Sequence, residues 1–167
     1  RAALQRGDLD AARRLLERTI AEEPGLFDAK LTLASVLWRQ GELPAVEDVL
    51  VGLKQSRPGS AQATAMLGAL KLQRGEVAVA MSLLSEALDI DPYMASAWST
   101  WLQALYFQGD LGTLELEIKR ARELLPEEGA PLGMEGLLLA VQKDPAAAGV
   151  IAESLRRDPR QPFLRYA

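Results

Sequence analysis

Two residue types recur along this chain at one interval. Gly7, Gly41, Gly75 and Gly109 lie 34 residues apart, and Pro24, Pro58, Pro92 and Pro126 keep the same spacing. Each of these glycines precedes an acid: Asp8, Glu42, Glu76 and Asp110. A period shared by two independent residue classes marks an internal repeat, which excludes a single globule closed around one core. With 167 residues, the chain is just short of five periods.

Between these marks the pattern is helical. Residues 27–40, 61–74 and 95–108 carry apolar side chains at i, i+3, i+4 and i+7, and each segment ends just before a glycine. Glycine suits the left-handed residue that closes a helix, and the acid after it suits the positive end of the next helix dipole. Residues 9–22, 43–56, 77–90 and 111–125 form a second helix in each period, stopping before a proline that disfavours helix in the preceding residue. Alanine and leucine dominate and no stretch alternates as a strand would, so the chain is predicted to be all-α.

A 34-residue helix–turn–helix unit resembles the tetratricopeptide repeat. With the glycine at position 15 and the proline at 32, that family has large residues at 4, 11 and 24 and Leu at 7. Small residues stand at 8, 20 and 27. The third unit shows Leu67, Gly68, Ala80, Leu84, Ala87 and Pro92 in matching slots, and the fourth shows Trp98, Leu105, Ile118, Ala121 and Pro126. The second supplies Leu33, Ala34, Leu37, Leu50 and Pro58, and the first Ala12, Leu16 and Pro24. Val46, Leu53, Lys71, Trp101, Leu102 and Leu114 depart from the pattern and predict locally altered packing. A fifth unit is degenerate, with Lys143–Asp144–Pro145 where glycine and acid belong. The resemblance implies a right-handed α-α superhelix of about five stacked repeats. Its expected parts are a partial repeat at 1–26, full repeats at 27–60, 61–94 and 95–128, a degenerate one at 129–160, and the start of a further helix at 161–167.

In this family the first helices line a concave groove that receives a partner peptide or helix. By that resemblance the groove positions include Leu31, Ser35, Trp38 and Arg39 in the second unit, Leu72 and Gln73 in the third, and Gln103, Tyr106 and Phe107 in the fourth. Asp28, Gln62, Ala65, Ala69, Ser96 and Ser99 share the remaining slots. Trp38, Leu72 and Tyr106 recur every 34 residues, so they stack as a ladder with Phe107 beside the last rung. Aromatic residues make up only 5% of the chain, which makes their concentration there notable, since they anchor interfaces more often than other types. The same ladder position also carries bulky residues that support the fold, so packing is the competing reading. A carboxylate clamp is not expected, because these slots offer no Lys or Asn and Arg39 stands nearly alone.

Composition removes other functions. The chain has no His and no Cys, so it offers no imidazole base, thiol nucleophile or Cys/His zinc site, and no metal or cofactor is expected. It lacks the glycine-rich phosphate loops, and the nearby acids Glu115 and Glu117, two apart on a helix, diverge. No enzymatic activity is expected. A net charge of −4 disfavours nucleic acid, and no apolar run reaches a membrane span. Basic clusters at Arg13–Arg14–Arg18, Lys119–Arg120–Arg122 and Arg156–Arg157–Arg160 fall on second helices and read as solvated surface.

The expected function is a protein–protein interaction scaffold binding an apolar or amphipathic helix or peptide. Neither end shows an evident polar cap, which predicts self-association. An excess of Arg over Lys with abundant Ala and Leu fits a GC-rich bacterial source, cytoplasmic or periplasmic, and a segment of a larger protein. The alternatives are a regulatory or tethering segment of a multidomain enzyme resembling a glycosyltransferase or sulfotransferase, and a structural segment of an envelope or polysaccharide-export assembly.

Overall fold

Periodic helix formers and periodic breakers produce the helices where those signals stand. A computed structural model describes residues 2–159, Gln161 and Leu164, with side chains from Gly7 onward. Its described residues form nine helices and no strand: α1 Ala2–Glu22, α2 Phe27–Gln40, α3 Leu43–Ser56, α4 Ala61–Gln73, α5 Val77–Ile90, α6 Ala95–Gln108, α7 Leu111–Leu124, α8 Gly129–Val141 and α9 Ala147–Arg157. The expected opening of another helix falls mostly on residues 162–163 and 165–167, outside the described ones.

The turns follow the period in detail. Gly41, Gly75 and Gly109 have φ of 82°, 79° and 80°, the left-handed conformation that costs glycine little. After the first two, a pair of backbone bonds closes the helix: Gly41 N–H to the Trp38 carbonyl and Glu42 N–H to that of Leu37, then Gly75 to Leu72 and Glu76 to Lys71. The acids Glu42, Glu76 and Asp110 become the N-caps of α3, α5 and α7, although only Asp110 accepts a side-chain cap bond, from Thr113 N–H at 3.1 Å. Before Pro58, Pro92, Pro126 and Pro159 the chain leaves the helical region, with φ of −143° at Arg57, −136° at Asp91, −131° at Leu125 and −138° at Asp158. That is the restriction proline imposes on its predecessor.

The fifth unit folds as a hairpin despite its altered turn. Lys143 stands where the glycine belongs and adopts φ 59°. Lys143 N–H bonds the Ala140 carbonyl and Asp144 N–H that of Leu139, the same pair as in the earlier turns. Here α8 and α9 approach closely because Gly129, Gly133 and Gly136 face α9. A Cβ on Gly136 would lie 2.5 Å from Ile151 Cγ1 and 3.1 Å from its backbone nitrogen.

One expectation differs. The predicted turn at Gly7 is not formed, and α1 runs through it without a break. Continuing the hydrogen-bond ladder through one glycine costs only about 1 kcal/mol against alanine, less than losing those bonds.

Consecutive helices pack against one another, and α4 with α6 and α6 with α8 add contacts between first helices. The result is a right-handed α-α superhelix. Its core is divided. Leu31, Leu37, Val46, Leu50, Leu53, Leu67 and Leu70 fill the α2–α4 end. Trp98, Leu102, Leu105, Leu114, Ile118 and Met134 belong to the α6–α8 end. Smaller groups, Ala65–Ala87–Ala97 and Ala80–Leu84–Ala104, join the two. Val46, Leu53, Leu102 and Leu114, which depart from the family pattern, are all buried, so they alter the packing without exposing apolar surface.

Candidate partner-binding groove

The register of the first helices decides where the groove residues go. Residues 34 apart occupy equivalent places on α2, α4 and α6, so Trp38, Leu72 and Tyr106 recur at one level of successive helices. Each is half-buried and packs on a different core group: Trp38 on the α2–α4 core, Leu72 beside Ala80, Leu84 and Ala104, and Tyr106 on the α6–α8 core. The ladder therefore supports the fold and also presents a partial surface. Phe107 is different. It is 66% exposed, and its ring meets Tyr106 edge-on at a centroid distance of 6.1 Å.

The α2–α4 junction gathers several groove positions into one hollow of about 200 Å³, lined by Asp28, Leu31, Thr32, Ser35 and Gln62. The hydroxyls of Thr32 and Ser35 donate to the carbonyls of Asp28 and Leu31. Arg39 does not join this hollow. It lines a separate, polar recess with Leu9, Asp10, Gln40 and Glu42, at the α1 end of the stack. Gln73 is exposed, and the Gln103 amide donates to the Ser99 hydroxyl at 3.2 Å.

Two features escaped sequence reasoning. Val141, 48% exposed, sits one period beyond Phe107, a spacing that points to it despite the degenerate unit. Lys71, in a slot where the family has a large side chain, is only 16% exposed and bridges Glu47 of α3 at 2.6 Å and Glu76 at 3.1 Å, while Arg74 also pairs with Glu47. The bond to Glu47, then that to Glu76, holds the Lys71 ammonium above its ordinary pKa, and the Lys71 bond chiefly holds the Glu47 carboxyl below its own. No sequence signal marked this network, because its partners come from three different segments.

Most of the basic side chains clustered on second helices are paired locally. Arg13 pairs with Glu17 and Glu42, Lys119 with Glu115, Arg122 with Glu135, and Arg156 and Arg157 with Glu153. Arg160 lies outside the described residues. Among the described residues no three His, Cys, Asp or Glu side chains are grouped to hold a metal, and no helix is long and apolar enough to cross a membrane.

The stacked hairpins, their 34-residue period and their turn geometry now stand together, and residues 3–70 match the family model for the tetratricopeptide repeat. The fold is that of a tetratricopeptide-repeat array. It is shared with TTC0263, a thermophilic tetratricopeptide protein of Thermus thermophilus, at 21% identity over 99% of this chain and 91% of that one, with a TM-score of 0.76. MamA from Desulfovibrio magneticus RS-1 is similar at 20% identity, covering 96% and 92%, with a TM-score of 0.73. YrrB, described as a tetratricopeptide protein with an unusual peptide-binding site, is similar at 13% identity, covering 97% and 84%, with a TM-score of 0.66. No curated protein sequence matches the array.

The last repeat is partly covered. Gln161, 2% exposed, donates to the Ser154 carbonyl at 3.1 Å and the Asp158 carbonyl at 2.9 Å. The buried side chain of Leu164 lies over Gly133. Gln161 and Leu164 thus cover part of the α8 face.

Proposed function

We propose that this array is a non-catalytic scaffold that binds a partner polypeptide along its concave face. Tetratricopeptide arrays are typically interaction modules, and YrrB is described as having a peptide-binding site. The observation that carries the reading is the Trp38–Leu72–Tyr106 ladder, half-buried at one level, with Phe107 exposed beside it. Rigid stacked helices preorganise such a surface, so the receptor loses little entropy when a partner docks. The binding unit is the repeat, with boundaries we place at 27–60, 61–94, 95–128 and 129–160. Leu31, Ser35, Gln73 and Gln103 flank the rungs, and Arg39 contributes at the α1 edge.

Trp38→Ala combined with Tyr106→Ala, alongside the single exposed change Phe107→Ser, tests the reading. Helicity by circular dichroism is expected to persist for Phe107→Ser while partner recovery in pull-down from native lysate falls at least about tenfold, as loss of a hot-spot aromatic predicts. Unchanged recovery with both variants would overturn it. Self-association through the ends of the stack belongs to the same proposal, and a monomeric mass by light scattering at high concentration would remove it.

A further inference from the structure

Charge is distributed unevenly between the two layers of helices. In a chain with 25% charged residues, α6 has none, α4 has only Lys71 and α8 only Glu135. Both of those are already neutralised from the second-helix layer or the adjoining turn, Lys71 by Glu47 and Glu76, Glu135 by Arg122. Asp28, Lys30 and Arg39 sit on α2 at the edge, so from α4 to α8 the first helices offer no charge without an ion-pair partner. A charged partner side chain settling there would shed hydration with no counter-charge to replace it.

What the tract does offer is amide and hydroxyl groups: Gln62, Gln73 and Ser96 are exposed, and Gln103 and Ser99 partly so. Amides both donate and accept, and they complement a backbone whose own groups are unsatisfied. An α-helix arrives with its backbone already bonded; an extended segment does not. Packed helices lie ~8–10 Å apart, so the rungs recur at about that interval. A polyproline-type strand rises ~3.1 Å per residue, which brings every third side chain to the next rung at ~9 Å.

From these observations we infer that the concave face takes an extended, uncharged polypeptide segment with an apolar residue at every third position. Those residues meet Leu72 on α4, the Tyr106–Phe107 pair on α6 and Val141 on α8 in turn, while the glutamines and serines bond the intervening backbone. The inference rests on the groove reading above and deepens it.

The probe is a display library of random peptides of about 12 residues, long enough to cross about four rungs. Selection on the wild-type array is expected to deplete Asp, Glu, Lys and Arg at least about twofold from the input and to leave apolar residues three apart. Selected peptides should lose less than about twofold in affinity between 0.05 and 0.5 M salt, since neutral contacts are not screened. Phe107→Ser and Gln103→Ala should each weaken them at least about threefold. Enrichment of charged or helix-period peptides that still depend on Phe107 would overturn the inference and leave the groove reading intact. Selected peptides indifferent to Phe107, Trp38 and Tyr106, or no selection at all, would overturn both.

Discussion

At the scale of single residues, the repeat works by giving each position a backbone role before a side-chain one. Lys143 makes this visible. It occupies the glycine slot, takes φ 59°, and makes the same backbone bonds as Gly41 and Gly75. A Cβ in the left-handed region costs roughly 1–2 kcal/mol, partly offset by the greater freedom glycine has when unfolded. Lys143→Gly is therefore expected to stabilise the array by about 0.5–1 kcal/mol, a rise of ~1–4 °C in a thermal melt followed by circular dichroism. The same change at an exposed helical site such as Lys119 should destabilise. The degenerate turn was legible as a position out of register with its type; that the backbone would still adopt the left-handed form was not, because it is enforced by α8 and α9 packing together.

At the scale of elements, helix pairs are set by what the neighbour brings. Gly136 reads in sequence as a poor helix former, yet α9 sits against the place its Cβ would fill, with Ile151 backbone 3.1 Å away. Gly136→Ala is expected to cost about 1–3 kcal/mol by overpacking, outweighing its better helix propensity, and chemical denaturation would show it. The α3–α4 seam is ionic. Because Glu47 is held below its ordinary 4.5 in the folded array, its contribution is present above that value and is lost as pH falls through the depressed one. Lys71 runs the other way: its contribution is full below its ordinary 10.5 and fades as pH rises through the raised value. Glu47→Gln should flatten part of the fall in melting temperature below pH 4.5 at low salt; an unchanged acid limb would show the seam to be inert. Helix α1 teaches the converse lesson. Gly7 and Asp8 carry the same turn signature as the later units, yet the helix continues through them, since one glycine costs a helix only about 1 kcal/mol.

For the whole molecule, stability is nearly a sum over neighbours, since each hairpin buries its apolar face on the next. The two large cores lie at the α2–α4 and α6–α8 ends, joined by groups of small residues in which Leu84 is the largest fully buried side chain. Leu84→Ala should cost about 2–5 kcal/mol and also uncouple the ends. Trp38 packs on one core and Trp98 is buried in the other, so variants keeping a single tryptophan report each separately. Coincident urea midpoints are expected in the wild-type background and separated midpoints once Leu84 is truncated; coincidence in both would contradict a weak centre. Binding, if it runs along the concave face from α4 to α8, spans this same centre, and a partner would then raise the coupling between the ends.

The sequence by itself determined the repeat, the helix limits within a residue from α2 to α7, and the left-handed glycines and non-helical pre-proline residues between them. Those are consequences of backbone sterics and hydrogen bonding over a few consecutive residues, which local chemistry controls. Its period also put Trp38, Leu72 and Tyr106 at one level of successive first helices. Only the tertiary structure decided how much of each is covered: Tyr106 half-buried and Phe107 beside it exposed, Arg39 turned to a separate recess, Lys71 drawn into an ion-pair seam, and three glycines of α8 made necessary by α9. Burial and pairing depend on side chains that arrive from distant segments, and their size and charge are not written in the residues they meet.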